Sequence, residues 1–300
     1  LRRDRSTTEL YRSRYQSHHF ITNIFMEQNE LKLLTLNIGE LEISLPYIGS
    51  FPLIVKKGAR LRRFISFIEK ENYDIIMLQE ISQSTRVRVM KKLHHLYPYS
   101  AFDTSYKLFR GDLLILSKFP ITEQTFVPYS ANTLFERIPI TKGVLAATIE
   151  VAGRTITLFN THLTSVGLTQ SGTTPRVERI RSEQIRDILQ FLHTQKHPVI
   201  LAGDMNAGPE TSLDNYKQIV STFVDMFEFC DIPHAGRITW APTNPYTQKI
   251  YKSSPDQQVD GFYIQAKDIV RLNADFYVEV VFKDTVVSDH YGVHLGITFN

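Results

Sequence analysis

Short apolar runs that stop at a polar residue are the feature of this sequence that most constrains its fold. Residues 31–37 read LKLLTLN, residues 74–80 read DIIMLQE and residues 199–206 read VILAGDMN. Apolar runs of this length are typical of buried β-strands. A chain with several such runs must pack its strands into a core and leave the polar strand ends at the rim of that core.

Helical and strand patterns are interspersed along the chain. We predict helices over residues 59–71, 86–97 and 176–195, and strands over residues 31–37, 73–78, 112–117, 144–151, 155–161, 198–203, 259–264, 274–282 and 292–299. Hairpins mixed with helices do not suit a purely parallel, doubly wound sheet and favour two packed sheets flanked by helices. Because no repeat or linker divides the sequence, we predict one domain over residues 31–300 after an arm over residues 1–30.

The charge balance says little in favour of a nucleic-acid partner. Lys and Arg number 34 against 31 Asp and Glu, a net charge of +3. Residues 1–20 account for it alone, since five Arg stand there against Asp4 and Glu9. The balanced remainder is an unpromising match for long nucleic acid, although a local basic patch stays open. The basic start is predicted to be a solvated tail.

Cysteine usage and hydropathy exclude several classes of protein. One cysteine, Cys230, excludes an intramolecular disulfide framework and any multi-cysteine zinc or iron–sulfur site. No apolar run approaches the roughly 18 residues that cross a bilayer, so we expect a soluble globular protein. The sequence begins at Leu1 rather than Met, and we expect a processed or trimmed form. Secretion and the cytoplasm both stay open.

Polar side chains of a few types stand at the ends of the strand runs. They are Asn37, Gln79, Glu80, Asn160, His162, Asp204, Asn206, Asp260, Ser288, Asp289 and His290. Taken singly, each has an ordinary explanation, because Asp and Asn cap turns and His after a strand is commonly a satisfied polar residue. Side chains that project from strand ends at one rim can converge on a single pocket. The conjunction of six such endings therefore predicts a functional site.

This set of residues, over about residues 31–300, resembles the endonuclease/exonuclease/phosphatase superfamily of Mg²⁺-dependent phosphodiesterases and phosphatases. The resemblance implies an α/β (α+β) fold, a four-layered sandwich of two packed, mainly antiparallel sheets flanked by helices. It also implies Mg²⁺ as the cofactor, with Mn²⁺ as a substitute. A hard cation of this kind prefers carboxylates, phosphate oxygens and water. One ion and two ions are both compatible with the candidate ligands.

The resemblance assigns the metal ligands first. Glu80 is the principal ligand, with Asn37 and Asp289 beside it. His290 is implied to be the base that takes a proton from the attacking water, held and polarised by Asp260.

The remaining roles concern the water and the developing charge. By the same resemblance, Asp204 orients the attacking water or serves as an alternative base. Asn206 and His162 stabilise charge on the pentacovalent phosphorus, where positioned donors contribute most. All of these residues are present, which weighs against a binding protein that has kept the fold and lost catalysis.

Four further segments look like the neutral sphingomyelinase branch of the superfamily. They are residues 111–121 (GDLLILSKFPI), Lys142-Gly143 followed by residues 160–165 (NTHLTS), Arg181 with Gln184, and residues 239–245 (TWAPTNP). The chain departs from that branch at Ala241, where Asp is more common, and at Asp260-Gly261, where Asp-Tyr is common. These departures concern the substrate rather than the hydrolytic chemistry.

The implied activity is sphingomyelinase-like hydrolysis of a phospholipid headgroup ester by metal-assisted, in-line attack of water. We expect a monomer that contacts a membrane surface transiently. Residues 41–57 (LEISLPYIGSFPLIVKK) are unusually apolar and fit either a membrane-contacting element or a cover over the core. The alternative is a nuclease or phosphatase of the same superfamily, with nucleic acid as the nuclease substrate.

Overall fold

The computed structural model describes residues 29–39, 42–45, 49–52, 57–104, 112–133, 141–165, 173–247 and 254–300. Most of the predicted arm over residues 1–30 therefore lies outside the described residues. Of the apolar segment 41–57, the structure describes the backbone of two short strands and the start of a helix, so its contact with a membrane or with the core stays a prediction. Among the described helices, none is both long enough and apolar enough to span a membrane.

Strands and helices follow one another throughout the chain. The strands are β1 (Glu30–Asn37), β2 (Glu42–Leu45), β3 (Gly49–Pro52), β4 (Ile75–Gln79), β5 (Tyr99–Phe102), β6 (Leu114–Ser117), β7 (Ile121–Pro128), β8 (Gly143–Val151), β9 (Arg154–His162), β10 (Val199–Asp204), β11 (Val224–Asp225), β12 (Asp260–Ile264), β13 (Ala274–Val281) and β14 (Gly292–Phe299). The helices are α1 (Lys57–Glu71), α2 (Gln83–Leu93), α3 (Pro175–Leu192), α4 (Leu213–Val220), α5 (Met226–Phe229) and α6 (Ala266–Leu272), with a 3₁₀ turn at His234–Gly236.

Two six-stranded sheets form the centre of the molecule. The first has the order β13-β14-β1-β4-β6-β5 and the second β11-β12-β10-β9-β8-β7. Each sheet contains one parallel pair, β1 with β4 and β9 with β10, and its other pairs are antiparallel. β2 and β3 form a separate hairpin.

Three apolar clusters show how the sheets and helices are layered. Alternate residues of β1 face opposite sides of its sheet, so Leu33 joins the cluster between the two sheets while Leu34 joins a second cluster with Phe64 of α1. A third cluster packs α3, through Ile185, and α4 against the outer face of the second sheet. The layers are therefore helix, sheet, sheet, helix. The predicted four-layered sandwich is confirmed.

The predicted elements are all present, with ends that differ by up to four residues. The elements that the sequence did not predict are β2, β3, β5, β7, β11, α4, α5, α6 and the 3₁₀ turn. β7 lies at a sheet edge and is mostly exposed, so its sequence (ITEQTFVP) lacks the apolar alternation of a half-buried strand. The others are short, and a short element leaves too few residues to establish a period.

Strand register brings the polar strand ends together. The parallel pair β1 and β4 places Asn37 opposite Gln79, and the parallel pair β9 and β10 places His162 opposite Asp204. The antiparallel partner of β10 places Asp260 opposite Asp204. Because the carboxyl ends of parallel strands lie at the same edge, residues far apart in sequence share one rim of the sandwich.

A glycine permits this register beside Asp204. Gly203 has φ +141°, and a Cβ on this residue would lie 1.9 Å from the carbonyl oxygen of Thr161 on the neighbouring strand. Only glycine accepts that backbone conformation and that approach without a shift of the main chain.

Candidate active site

The structure brings the predicted site residues together at one rim of the two sheets. Two groups of donor atoms form there, each with its atoms within 4.8 Å of one another. The first group is Glu80, His162 and Asp204, and the second is Asp204, Asp260 and His290. Asp204 belongs to both groups and stands at the centre of the site.

The first group has a histidine facing two carboxylates. Nε2 of His162 lies 3.6 Å from Oε1 of Glu80 and 3.6 Å from Oδ2 of Asp204. This nitrogen is buried and has no hydrogen-bond partner among the described residues. An unpaired buried polar atom is costly, so its presence here points to a ligand that is bound during function.

The second group is an aspartate–histidine pair. Nδ1 of His290 lies 2.8 Å from Oδ2 of Asp260, and both residues are buried. Because an ionised carboxylate only accepts hydrogen bonds, Nδ1 carries the proton and Nε2 is directed elsewhere. Nε2 lies 3.9 Å from Oδ2 of Asp204. The pair has the geometry of a base held in one tautomer by a carboxylate.

The side-chain amide nitrogen of Asn37 donates hydrogen bonds to two carboxylates. Nδ2 donates to Oε1 of Glu80 at 3.1 Å and to Oδ2 of Asp204 at 2.9 Å. Its Oδ1 accepts from the main-chain N–H of Gly39 at 2.9 Å, which fixes the orientation of the amide. The atom that faces the carboxylates is therefore a donor. That Asn37 is a metal ligand stays a prediction. The structure supplies a second role, that of a spacer, because the Asn37 amide lies between the carboxylates of Glu80 and Asp204 and donates to both.

Electrostatics set the protonation of the carboxylates. Burial, followed by repulsion from Asp289, raises the pKa of Glu80 despite the favourable charge of His162. Burial also raises the pKa of Asp260 to about 6, against the opposing charge of His290. Burial would lower the pKa of His290, but the charges of Asp260 and Asp204 outweigh it and raise that pKa well above its ordinary value. The site concentrates negative charge that a cation would neutralise.

Glu80 also has an unusual backbone. Its φ is +53°, in the left-handed region that favours glycine. A non-glycine residue in this region costs on the order of 1 kcal/mol or more, and such residues concentrate at functional sites. The conformation fits a residue whose side chain has a function at this position.

Asn206 and Asp289 complete the predicted set. The N–H of Asn206 donates to Oδ1 of Asp204 at 2.8 Å, and its Nδ2 donates to the carbonyl of Leu163 at 3.1 Å. Oγ of Ser288 donates to the carbonyl of Asn37 at 2.6 Å and lies 3.1 Å from Oδ1 of Asp289. Ser288 therefore fastens the Asp289–His290 segment to the end of β1.

Gln79 and Asn160 lie beneath the site and join the sheets. Nε2 of Gln79 donates to Oδ1 of Asn160 at 2.7 Å, and Nδ2 of Asn160 donates to the carbonyl of Leu78 at 2.9 Å. Both side chains are fully buried. Their place among the polar strand ends is explained by this cross-link between the two sheets.

Asp112 is a site residue whose role the sequence did not assign. Its Oδ2 lies 2.8 Å from Nδ1 of His162, so the arrangement repeats the Asp260–His290 pair. Burial lowers the pKa of His162, but the hydrogen bond to Asp112 and the charges of Asp112 and Asp204 raise it overall. Asp112 lies in the segment 111–121, whose sequence resembles the sphingomyelinase branch. This resemblance could have indicated that Asp112 is a site residue.

Two side chains of the segment 239–245 form hydrogen bonds with the main chain next to the second group. Oγ1 of Thr239 accepts from the N–H groups of Val259 and Asp260, each at 3.0 Å. Nδ2 of Asn244 donates to the carbonyls of Ser288 at 3.1 Å and Asp289 at 3.2 Å. Thr239 and Asn244 are fully buried and act on the site through the main chain.

The residues present fit a divalent cation. Carboxylate oxygens of Glu80, Asp204 and Asp289 are the ligand type that Mg²⁺ prefers. The raised pKa of Glu80 and the Nε2 of His162, which no described residue pairs, show that the first group is not satisfied by these side chains alone. Assignment of each ligand stays a prediction.

Comparison with known proteins agrees with the fold. A sequence model of the Endonuclease/Exonuclease/phosphatase family matches residues 34–253. A putative neutral sphingomyelinase of Drosophila melanogaster is 31% identical over 229 residues, which cover 73% of this chain and 48% of that protein. An inositol phosphosphingolipids phospholipase C of Schizosaccharomyces pombe is 30% identical over 251 residues, which cover 81% of this chain and 52% of that protein. The chain thus spans about half the length of these relatives.

A solved structure shows the same architecture. The beta toxin of Staphylococcus aureus, in a mutant form with bound magnesium ions, superposes with a TM-score of 0.69 over 89% of this chain and 99% of the toxin. The sequence identity is 19%, so the likeness concerns the fold.

Proposed function

Because the chain belongs to the endonuclease/exonuclease/phosphatase family, we propose that it is a divalent-metal-dependent phosphodiesterase that releases the phosphorylated headgroup of a sphingolipid. The observation that carries the proposal is the pair of donor groups that share Asp204. One group offers carboxylate oxygens and an imidazole nitrogen to a cation and a phosphate. The other offers a histidine base held by a carboxylate.

His290 is the proton acceptor in this proposal. The bond from Nδ1 to Asp260 leaves Nε2 to take a proton from a water at the site. Asp260 holds the ring in one orientation and stabilises the imidazolium that forms. The charges of Asp260 and Asp204 stabilise the imidazolium, which is why they raise the pKa of His290.

Asp204, His162 and Asn206 act on the water and on the phosphate. Oδ2 of Asp204 lies within 4 Å of Nε2 of both histidines, so Asp204 can orient the water between them. His162, protonated on Nδ1 toward Asp112, has a raised pKa and therefore favours a second proton on Nε2. A charged imidazole and the amide of Asn206 donate to phosphoryl oxygens as negative charge grows on them.

Glu80, with Asp289 beside it, would hold the cation. A divalent ion held there would polarise a phosphoryl oxygen and neutralise charge in the site. The protein residues alone supply the base, the water orientation and the hydrogen-bond donors. Mg²⁺ is the proposed ion, supported by the oxygen donors of the site and by the ions bound to the Staphylococcus aureus toxin.

The lipid substrate rests on the relatives rather than on the site geometry. The names of the Drosophila and Schizosaccharomyces relatives both refer to enzymes that act on sphingolipids. We propose sphingomyelin or a related sphingophospholipid as the substrate, reached by transient contact with a membrane surface. A nuclease or phosphatase would use the same catalytic residues and is the competing assignment.

The test is hydrolysis of sphingomyelin liposomes beside supercoiled plasmid DNA, each with Mg²⁺ and with a chelator. Mg²⁺-dependent release of phosphocholine supports the proposal, and His290→Ala should abolish it while the Tm changes little. Divalent-dependent nicking of DNA without lipid turnover would assign the chain to the nucleases. Inositol-phosphate release from phosphoinositol-headed sphingolipid, with sphingomyelin untouched, would keep the reaction and change the headgroup.

A further inference from the structure

Two side chains of helix α3 form hydrogen bonds with every polar group of Thr164, which lies in the segment after β9. Oε1 of Gln184 accepts from the N–H of Thr164 at 2.9 Å, and Nε2 of Gln184 donates to Oγ1 of Thr164 at 2.8 Å. Nε of Arg181 donates to the carbonyl of Thr164 at 2.6 Å. Thr164, Arg181 and Gln184 are all fully buried.

The bonds at Thr164 continue into the catalytic residues. Thr164 follows Leu163, whose N–H donates to the carbonyl of Asp204 at 2.9 Å. The carbonyl of Leu163 accepts from Nζ of Lys142 at 3.0 Å and from Nδ2 of Asn206 at 3.1 Å. The N–H and C=O groups of Leu163 and Thr164 are therefore all bonded. The positions of the His162 backbone and of the Asn206 amide depend on this segment.

The chemistry of these groups argues for a specific role. Burial of a guanidinium or a primary amide is costly unless its donors are paired. Gln184 also donates to the carbonyl of Ala131 at 2.9 Å, so α3 joins the segment after β7 to the segment after β9. A network of fully paired buried groups specifies one arrangement of the loop. Neither Arg181 nor Gln184 takes part in the proposed reaction.

We propose that Arg181 and Gln184 are positioning residues, which act through Thr164 to place His162 and Asn206 against the phosphate. This inference rests on the proposed function. It predicts that damage to the network lowers turnover far more than it weakens substrate binding. It also predicts a change at His162 that is separate from any loss of stability.

The first experiment compares Gln184→Leu with Gln190→Leu, a matched control on the exposed face of α3. Gln184→Leu should lower kcat by about 10- to 100-fold with a much smaller change in KM, because a displacement of about 1 Å has an effect of this size. Gln190→Leu should resemble the wild type. Arg181→Lys, which keeps a donor for the Thr164 carbonyl, should retain more activity than Arg181→Met.

The second measurement is the NMR spectrum of the histidine side chains at a temperature where each variant is folded. Gln184→Leu should move the His162 resonances and leave those of the distant His193 and His197 in place. Unchanged kcat together with unchanged His162 resonances would overturn the inference. A lower Tm, with the resonances of all histidines shifted alike, would show that the network only stabilises the fold. That result would also overturn the inference. If the wild type hydrolysed no phosphoric ester, only the proposed function would be contradicted. The shift of the His162 resonances could still be measured and would still test the positioning role.

Discussion

The side-chain amide of Asn37 donates a hydrogen bond of 2.9 Å to Oδ2 of Asp204, across the boundary between the two sheets. The two residues are 167 positions apart in the chain and stand at the ends of β1 and β10. The bond exists only when the sheets are packed in this register. Formation of the site is therefore coupled to formation of the core between the sheets.

The orientation of Asn37 can be tested by replacing its donor with an acceptor. Asn37→Asp should destabilise the metal-free protein more than Asn37→Ala does, because a third carboxylate would face Glu80 and Asp204. The loss for Asn37→Ala should be about 1.5–3 kcal/mol, the range for hydrogen bonds to charged groups. Thermal unfolding in chelator measures both. Equal Tm values for the two variants would contradict the spacer role and favour an oxygen that faces the ion.

We expect Glu80 to contribute to Mg²⁺ binding and not to the stability of the metal-free protein. In chelator, Glu80→Gln should leave the Tm unchanged or raise it, because burial and Asp289 already disfavour the charge and the Gln oxygen still accepts from Asn37. Mg²⁺ at about 100 times its Kd should stabilise the wild type by about 2.7 kcal/mol and the variant by much less. Glu123→Gln, at an exposed position, is the control. An equal Mg²⁺ shift in wild type and Glu80→Gln would remove Glu80 from the ligands.

Asp112 should act through His162. Asp112→Asn keeps the shape of the side chain and removes the charge that raises the pKa of His162. We expect kcat/KM to fall about 10- to 100-fold, the effect of losing the carboxylate behind a functional histidine. The measurement is initial rate at saturating Mg²⁺, with the exposed Asp214→Asn as the control. Full activity in Asp112→Asn would show that His162 needs no charged partner.

Gly203 should be required for the strand pair that carries the site. Gly203→Ala places a Cβ 1.9 Å from the carbonyl of Thr161, so the main chain must shift and stability should fall by more than about 1 kcal/mol. Gly296→Ala, where the nearest atom would be 3.8 Å away, is the matched strand control and should be neutral or slightly stabilising. Chemical denaturation compares the two. Similar stability in both variants would contradict the close approach of β9 and β10.

The sequence placed the candidate site residues at the limits of apolar runs, and the family resemblance implied a role for each of them. Glu80 follows the run of β4, Asp204 ends that of β10 and His162 ends that of β9. Strand ends are local features, readable from hydropathy along a few residues. The same patterns predicted the long helices, since periodicity over many residues is a strong signal. Edge strand β7 and short helices such as α4 have weaker periods and were missed.

The tertiary structure decided how those side chains are paired and which other groups hold them. Asp112 and His162 are 50 residues apart, and Arg181 reaches the carbonyl of Thr164 from a different layer of the sandwich. No local pattern encodes such pairs, because they depend on the register between strands and on the packing of α3 against its sheet. The orientation of the Asn37 amide was fixed in the same way, by a main-chain N–H and two carboxylates that only the folded chain brings together. Local hydropathy thus placed the candidate site residues at strand ends, and the packing of two sheets determined the direction in which each of them points.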